Sequence, residues 1–210
     1  MKNGRTKRQE QAAARREQLL KTAFQLFSER GYRDTSVRDI ARTLGVTEGL
    51  LYHYFAGKAD LFVAVLNEYA PPALFESIIA TAANRPLAEV LQEIGQTFLT
   101  LIQQRRSFAL TILAEAPTDP ELGAMLGLFV RRISERLASL LKHYQVSGQI
   151  APTVNIETAA QAFLGSLILH FLSTTIFSPA DTAPTNNHEQ EQTVRHLVHL
   201  FLRGLLPRSS

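Results

Sequence analysis

The stretch from Thr35 to Phe55 constrains the fold more than any other part of this chain. Ser36 can cap the N-terminus of a helix, and Asp39 follows three residues later, as in a shortened capping box. Gly45 stands where a helix often ends in a left-handed residue, and Thr47 offers a second N-cap. Apolar residues fall at helical spacing in both segments, namely Val37, Ile40, Ala41 and Leu44, then Leu50, Leu51, Tyr54 and Phe55. The pattern predicts two short helices joined by a tight turn.

Two capped helices joined by a glycine turn are typical of the helix-turn-helix, whose second helix enters the major groove of DNA. An ordinary hairpin in a helical protein has the same local pattern, so the flanking sequence has to decide. A helix is predicted from Ala12 to Arg30, where an aromatic-rich apolar face ends at Gly31. Three helices then form a module of about 45 residues, close to the minimum for a helical core.

The charge distribution favours a nucleic-acid-binding module in the first third of the chain. Residues 1–62 hold twelve Lys and Arg against seven Asp and Glu, a net charge of +5, whereas residues 63–210 hold ten against twelve, a net charge of −2. This asymmetry suggests a polyanion-binding module on a neutral body, although a solvated charged surface is the alternative. Residues 1–11 are polar and basic, and we expect a flexible arm that contacts DNA or only aids solubility.

Amino-acid composition excludes several classes of protein and of binding site. The chain has no cysteine, which excludes disulfides and cysteine-based zinc sites and fits a reducing cytoplasm. The N-terminus has no apolar segment of a secretory signal, so a cytoplasmic location is expected. The apolar stretch from Ala159 to Phe177 has bilayer length, but Gln161 and His170 interrupt it, so a buried helix is predicted and no membrane association. His196 and His199 lack acidic or cysteine partners at ligand spacing, so neither metal nor cofactor is expected.

The rest of the chain predicts helices only, about nine in all, and hence an all-α protein. We assign residues 12–57 to the helix-turn-helix domain, 58–85 to a connecting helix and 86–210 to a second helical domain. The pair Pro71-Pro72 should break the connecting helix, because proline lacks an amide hydrogen and clashes with the preceding turn. Its position between the domains suggests that the break shapes how changes in the second domain move the first.

The run from Arg16 to Val65 closely resembles the N-terminal domain of the TetR family of bacterial transcriptional regulators. The matching residues, at fixed spacing, are Leu20, Ala23, Phe24, Leu26, Phe27, Gly31, Tyr32, Thr35, Ser36, Val37, Ile40, Ala41, Gly45, Val46, Gly49, Leu51, Tyr52, Tyr54, Phe55, Lys58 and Leu61. The resemblance implies nine helices, a homodimer, a DNA operator with two half-sites, and a variable domain for ligand binding and dimerisation. Residues 66–210 fit this only in the number and lengths of their helices.

The resemblance also implies which residues meet DNA. It places four residues against phosphates, namely Ser36, Thr47, Tyr52 and Lys58. It places Arg38 where a side chain can reach a base edge, and arginine suits guanine O6 and N7. His53 could touch bases or backbone, and for Tyr52 the alternative is packing against the first helix. The predicted DNA-binding residues are Ser36, Val37, Arg38, Thr47, Glu48, Gly49, Leu50, Tyr52, His53 and Lys58.

Two residues of the recognition helix depart from the common family pattern. Glu48 repels phosphate but can accept a hydrogen bond from cytosine N4, and Leu50 can meet only a thymine methyl. General DNA binding is compatible with both, whereas the operator sequence cannot be derived from them.

The helices from Pro86 to Phe177 have more large apolar residues than one thin layer of contacts needs, which predicts a pocket for a small hydrophobic ligand. For each residue a filled core is the alternative. The predicted pocket residues are Phe98, Ile102, Phe108, Ile112, Glu115, Met125, Phe129, Phe163, Leu167 and His170. Glu115 and His170 could orient a ligand or could be satisfied structural residues. The resemblance places a dimer interface on the last two helices, where small residues such as Gly165 allow close approach.

These features together predict a sequence-specific transcriptional regulator that binds a palindromic operator in double-stranded DNA. We expect a repressor that a small hydrophobic ligand releases, because the liganded dimer no longer matches half-sites about 34–36 Å apart. An enzyme is disfavoured, since no Ser/His/Asp order, metal cluster or phosphate-binding glycine loop is present. A protein that coats DNA without sequence preference is the other alternative, and an activator also stays open.

Overall fold

The computed structural model describes residues 3–70, 72–82, 85–177 and 187–205. Within them the chain is all-helical, which confirms the predicted fold class. The helices are α1 (Asn3–Arg30), α2 (Val37–Leu44), α3 (Glu48–Tyr54), α4 (Lys58–Tyr69), α5 (Pro72–Ala80), α6 (Leu87–Gln104), α7 (Arg106–Glu115), α8 (Pro120–Val146), α9 (Ile156–Leu172) and α10 (Asn187–Leu205), with a π-helical turn at Ser173–Phe177. The described residues thus form ten α-helices rather than nine, because the connecting segment is two helices. Pro71 lies outside the described residues.

The first helix is longer than the sequence predicts. A flexible arm is expected over residues 1–11, but α1 begins at Asn3. After Gly4 the sequence has no glycine or proline until Gly31, and its Arg, Lys, Gln, Glu and Ala residues are strong helix formers. The side chains of residues 7–18 are exposed, so this part of α1 is held by its own backbone hydrogen bonds rather than by packing.

The chain divides into two compact units. Unit 1 comprises Met1–Pro71 and Arg105–Phe129, and unit 2 comprises Pro72–Gln104 and Val130–Ser210. The helix-turn-helix therefore shares its unit with α4, α7 and the first part of α8, which the sequence-based boundaries assign elsewhere.

The core of unit 1 explains this grouping. Four buried aromatic side chains of this core pack on one another. The ring centroid of Phe62 lies 5.7 Å from that of Phe27, 5.1 Å from that of Tyr32 and 6.1 Å from that of Phe108 in α7. The buried members are Leu19, Leu20, Ala23, Leu26, Phe27, Tyr32, Val37, Ile40, Leu51, Phe55, Leu61, Phe62, Val65, Leu66, Phe108, Ile112 and Leu122. The first three helices alone offer too little apolar surface for a stable core, so α4, α7 and α8 complete the core on which the helix-turn-helix rests.

Unit 2 is held by close packing of α6 against α9 and α10. A Cβ atom on Gly95 of α6 would lie 2.8 Å from Val194 Cγ1, so the approach of α10 requires the glycine. Tyr144 of α8 is buried, and its hydroxyl donates to the carbonyl oxygens of Ala82 at 2.9 Å and Arg85 at 2.7 Å. These two contacts hold the segment that leads into α6 against α8.

Helix α9 is apolar on more than one side. With the π-helical turn it is, among the described residues, the one segment long and apolar enough to cross a bilayer by length and composition. One face is buried in unit 2, through Ile156, Ala159, Ala160, Phe163, Leu164, Leu167 and Phe171. The other face exposes Leu169, Ile176 and Phe177, so the predicted burial holds for one side of the helix.

Candidate nucleic-acid interface

Helix α2 begins with the predicted capping box. The amide of Asp39 donates to Ser36 Oγ at 3.0 Å, and the amide of Ser36 donates to Asp39 Oδ2 at 3.1 Å. The Ser36 hydroxyl also donates to the same carboxylate, and Arg42 lies 2.7 Å from its other oxygen. These Ser36 hydrogen bonds, with Arg42 and Arg30 adding charge, hold the pKa of Asp39 below its ordinary value. The Ser36 hydroxyl is thus already engaged in the cap.

The turn and the second helix also form as predicted. Gly45 has φ of 70°, the left-handed conformation that favours glycine, and its amide caps the end of α2. The Thr47 hydroxyl accepts from the amide of Leu50 at 3.3 Å and starts α3. Leu51 is fully buried, which fixes α3 on the core through one side. The opposite side of α3 therefore faces solvent.

Most predicted DNA-binding residues lie on the exposed surface of α2 and α3. Tyr52 is 53% exposed, which places it outside the core rather than packed beneath α1. Leu50 is partly buried. The exposed residues of the predicted set are Ser36, Arg38, Thr47, Glu48, Gly49, Tyr52 and His53. Val37 is the exception, because it is 9% exposed and belongs to the core face of α2. Val37 therefore supports the core and does not lie on the exposed surface.

Lys58 also has a structural role that the sequence does not predict. Its ammonium donates to the carbonyl oxygen of Tyr32 at 2.8 Å and lies 4.1 Å from the centroid of the Tyr32 ring. A cation over an aromatic face is attracted by the ring quadrupole. In this arrangement Lys58 joins the start of α4 to the turn after α1. A phosphate contact by Lys58 would compete with it.

The same turn is bound from the other side by Glu115. Its Oε2 accepts from the amides of Tyr32 at 2.9 Å and Arg33 at 3.1 Å. Gly31 has φ of 87°, and a Cβ atom there would lie 1.7 Å from Glu115 Oε1. This carboxylate, one of the predicted ligand residues, accepts hydrogen bonds from two backbone amides and fixes the turn that leads into α2.

An ion pair joins the two helices on the exposed surface. Arg38 Nε, in the first turn of α2, lies 3.7 Å from Oε1 of Glu48, the first residue of α3. Both side chains are exposed, so water screens the attraction. The pair nevertheless brings the predicted base-reading arginine beside the acidic residue that departs from the family pattern.

The predicted ligand residues do not belong to one unit. Phe108 and Ile112 are buried in the core of unit 1, and Met125 and Phe129 pack against the same core. With Glu115, five of the ten predicted ligand residues thus lie in unit 1, the unit that contains the helix-turn-helix. The other five belong to unit 2 and are Phe98, Ile102, Phe163, Leu167 and His170. Helical spacing identifies a buried face, but it does not identify the surface against which that face packs.

Within unit 2, His170 lines a small cavity of about 30 Å³ together with Leu99, Gln103, Phe171, Thr174 and Gln190. This volume is enough for about one water molecule. Burial lowers the pKa of His170 from its ordinary value, so the ring is neutral at pH 7. None of the lining residues carries a fixed charge, and the cavity therefore suits a neutral polar group within apolar surroundings.

Three contacts that Tyr32 makes in this site could not be predicted from the sequence. Tyr32 is 1% exposed, and its hydroxyl donates to Glu121 Oε2 at 3.0 Å, while Lys58 and Glu115 bind its backbone. The partners lie 26 to 89 positions away along the chain. No local pattern indicates such distant pairs.

The fold and the exposed face of α2 and α3 define a helix-turn-helix DNA-binding protein. Comparison with known proteins identifies the family to which this chain belongs. Residues 19–65 match the family model described as bacterial regulatory proteins, tetR family. Residues 89–204 match the model described as AefR-like transcriptional repressor, C-terminal domain. The chain belongs to the TetR family and is a DNA-binding transcriptional regulator, not an enzyme.

Individual relatives agree with this assignment. The chain is 42% identical over 151 residues to the HTH-type transcriptional repressor KstR2 of Mycolicibacterium smegmatis, an alignment that covers 70% of this chain and 73% of that protein. The solved structure of Salmonella enterica GusR has a TM-score of 0.71 at 24% identity and covers 90% and 95% of the two chains. The ketosteroid transcriptional regulator KstR2 of Mycobacterium tuberculosis has a TM-score of 0.59 at 24% identity and covers 92% and 96%.

Proposed function

We propose that this protein is a cytoplasmic repressor that binds a palindromic operator as a homodimer and leaves it when a small hydrophobic ligand binds unit 2. The observation that supports DNA recognition most directly is the exposed surface of α2 and α3, where seven predicted contact residues surround a helix anchored by buried Leu51. The name of the 42% identical relative, a transcriptional repressor, supports the direction of regulation.

On DNA, α3 would lie in the major groove and α2 would cross the backbone. Thr47 and Tyr52 would contact phosphates, His53 would contact bases or backbone, and Arg38 would reach a guanine. Ser36 would contact phosphate through the hydroxyl that also closes the capping box. Selection of bound sequences from random DNA tests this directly. A recovered palindrome, protected as a discrete footprint at moderate salt, supports the proposal, whereas uniform and salt-sensitive binding contradicts it.

The homodimer is proposed to form through α9 and α10. Leu169 of α9 is 63% exposed and Leu200 of α10 is 66% exposed, and the exposed Gly165 lies about one helical turn before Leu169. Large apolar side chains this exposed on adjacent helices mark an interaction surface, and the four-helix interface of the family uses these two helices. His196 and His199 are exposed on α10 and would lie at or near this interface.

One pair of substitutions with a matched control tests the interface. We expect Leu169→Glu and Leu200→Glu to be monomeric in sedimentation or light scattering and to lose operator affinity. Leu128 is 65% exposed but lies on α8, so Leu128→Glu should remain dimeric. A dimer in both interface variants would contradict the proposal.

The ligand is proposed to enter unit 2 at the small cavity beside His170. Because the cavity holds about one water molecule, side chains such as Gln103 and Phe171 would move as the ligand enters. Neutral His170 and the absence of fixed charge in the lining favour an uncharged ligand with one polar group. A ketosteroid is one such molecule, and the Mycobacterium tuberculosis KstR2 described above is called a ketosteroid regulator.

A thermal-shift screen tests this ligand class. We expect a steroid ketone to raise the unfolding temperature and to release the selected operator, since a ligand that binds only the folded state stabilises it. A long-chain fatty acid serves as the charged comparison and should act more weakly. His170→Leu should reduce the shift while leaving operator affinity unchanged. Equal responses of wild type and His170→Leu would contradict the placement of the ligand.

A further inference from the structure

The recognition helix begins with an acidic residue, which suits the positive end of the helix dipole but not a surface that binds DNA. Glu48 is the first residue of α3, and a carboxylate facing DNA opposes the phosphate charge on which affinity depends. The acidic residue of α2, Asp39, is accounted for, because it caps α2 and pairs with Arg42 at 2.7 Å. Glu48 is thus left with Arg38 as its ion-pair partner among the described residues.

The atoms in this pair matter. The 3.7 Å contact joins Glu48 Oε1 to Arg38 Nε, the nitrogen nearest the chain. At this distance the contact is a charge–charge attraction and not a hydrogen bond. The two terminal nitrogens of Arg38 have no hydrogen-bond partner among the described residues, and 82% of the side chain is exposed. Those two nitrogens form the planar fork that binds guanine O6 and N7.

We propose that Glu48 is a positioning residue for base recognition, which holds Arg38 through Nε so that its two terminal nitrogens face a guanine in each half-site. This rests on the proposed function, namely that α2 and α3 dock in the major groove with Arg38 at a base edge. The pair restricts a long side chain that otherwise samples many rotamers, so less entropy is lost when the guanine contact forms.

A direct contact between Glu48 and cytosine N4 is the competing explanation, and the two differ in their dependence on Arg38. If Glu48 acts through Arg38, its removal affects the same base pair as the removal of Arg38 and has no further effect once Arg38 is gone. If Glu48 reads a base itself, its removal affects a different base pair, or affects specificity equally with and without Arg38.

The experiment measures Kd for the selected operator and for its single-base variants, using the full-length wild type, Arg38→Ala, Glu48→Gln and the double variant. Circular dichroism and sedimentation establish that each variant is a folded dimer. Asp34→Asn is the matched control, because Asp34 is exposed in the turn before α2 and has no ion pair among the described residues. It removes one negative charge from the same unit without touching Arg38.

We expect Arg38→Ala to reduce discrimination at one guanine per half-site by about tenfold or more, the range of a bidentate arginine contact. Glu48→Gln should reduce discrimination at that same guanine by about two- to fivefold, the range of an exposed ion pair, while total affinity rises or stays constant. Added to Arg38→Ala, it should change no base preference. Asp34→Asn should leave every base preference intact.

Other outcomes overturn the proposal in distinguishable ways. If Glu48→Gln alters a different base pair, or acts equally in the Arg38→Ala background, Glu48 reads DNA directly and the positioning role is wrong. If Glu48→Gln changes no preference while Arg38→Ala does, the ion pair has no role in recognition although the placement of Arg38 holds. If Arg38→Ala changes no preference, the docking in the proposed function is itself wrong.

Discussion

The contact between Glu115 and the turn after α1 gives the sharpest prediction from this structure. Gly31 and Glu115 are 84 positions apart, yet a Cβ atom on Gly31 would lie 1.7 Å from Glu115 Oε1, far inside van der Waals contact. The carboxylate also accepts from the amides of Tyr32 and Arg33. Substitutions at the two positions should therefore act on the same hydrogen bonds, and their effects should not add.

The magnitudes follow from the contacts. A hydrogen bond to a charged group contributes about 1.5–3 kcal/mol, and since the Arg33 amide is exposed we expect Glu115→Ala to cost about 2–3 kcal/mol for both bonds together. Gly31→Ala places a Cβ atom in the left-handed region, which costs about 1–2 kcal/mol. It also expels the carboxylate and loses the same two hydrogen bonds, for a total of about 3–5 kcal/mol.

The double variant should then be no less stable than Gly31→Ala alone. The coupling free energy is about 2–3 kcal/mol, well above the error of additivity for independent sites. Urea unfolding followed by circular dichroism measures it, at one fixed protein concentration because dimer formation contributes to stability. Hydrogen exchange gives a local readout, since Glu115→Ala should speed exchange of the Tyr32 and Arg33 amides.

Glu135→Ala is the control for this cycle, because Glu135 is an exposed glutamate of α8 whose side chain makes no ion pair among the described residues. It should change the free energy of unfolding by less than about 0.5 kcal/mol. The reasoning is refuted if Glu115→Ala costs its full 2–3 kcal/mol in the Gly31→Ala background as well. The carboxylate would then stabilise the protein by a route other than these amides.

Three further predictions concern the two cores. Burial and Glu121 raise the pKa of Tyr32, so the protonated hydroxyl stabilises the folded state fully below the unfolded pKa of about 10, and this stabilisation is lost as the pH rises above that value toward the raised pKa. In urea unfolding, the free energy of unfolding of the wild type should therefore fall faster than that of Tyr32→Phe between about pH 10 and 11. Tyr144→Phe removes the hydroxyl that binds two carbonyl oxygens and should cost about 1–2 kcal/mol in urea unfolding, with an unchanged slope. Gly95→Ala should lower the unfolding temperature because its Cβ meets Val194, and Val194→Ala should partly restore it; no restoration would contradict the assigned contact.

The helix-turn-helix could be predicted in detail because each of its signals is local. Ser36 meets Asp39 three residues away, Thr47 meets Leu50 three residues away, and Gly45 ends α2 through its own backbone conformation. Spacing within one turn of helix determines all three contacts, so the printed sequence contains them. The helix over residues 3–11 has a related explanation. A high density of charge is typical of a flexible arm, but the same residues are good helix formers and lie next to an established helix.

The ligand site could not be predicted to the same depth, because apolar periodicity gives a buried face without its partner. Phe108 and Phe163 both lie on such faces, but one packs in unit 1 beside Phe62 and the other in unit 2 beside Phe201. Five of the ten predicted pocket residues lie in unit 1 and five in unit 2, and all ten are at least partly buried. Tertiary partners decide the function of each face.

Glu115 shows how the structure separates two explanations that sequence leaves equal. A carboxylate within an apolar helix can either orient a ligand or satisfy nearby donors. Here two amides of the turn before α2 occupy one of its oxygens, and the glycine at that turn leaves room for the other. A ligand that recruited this carboxylate would take the acceptor from the part-buried Tyr32 amide and leave the Arg33 amide to water, so the helix-turn-helix would lose the contact that fixes its entry. Because displacing Glu115 would weaken the DNA-binding unit, we place the proposed ligand at His170, the predicted polar residue that lines a cavity in unit 2.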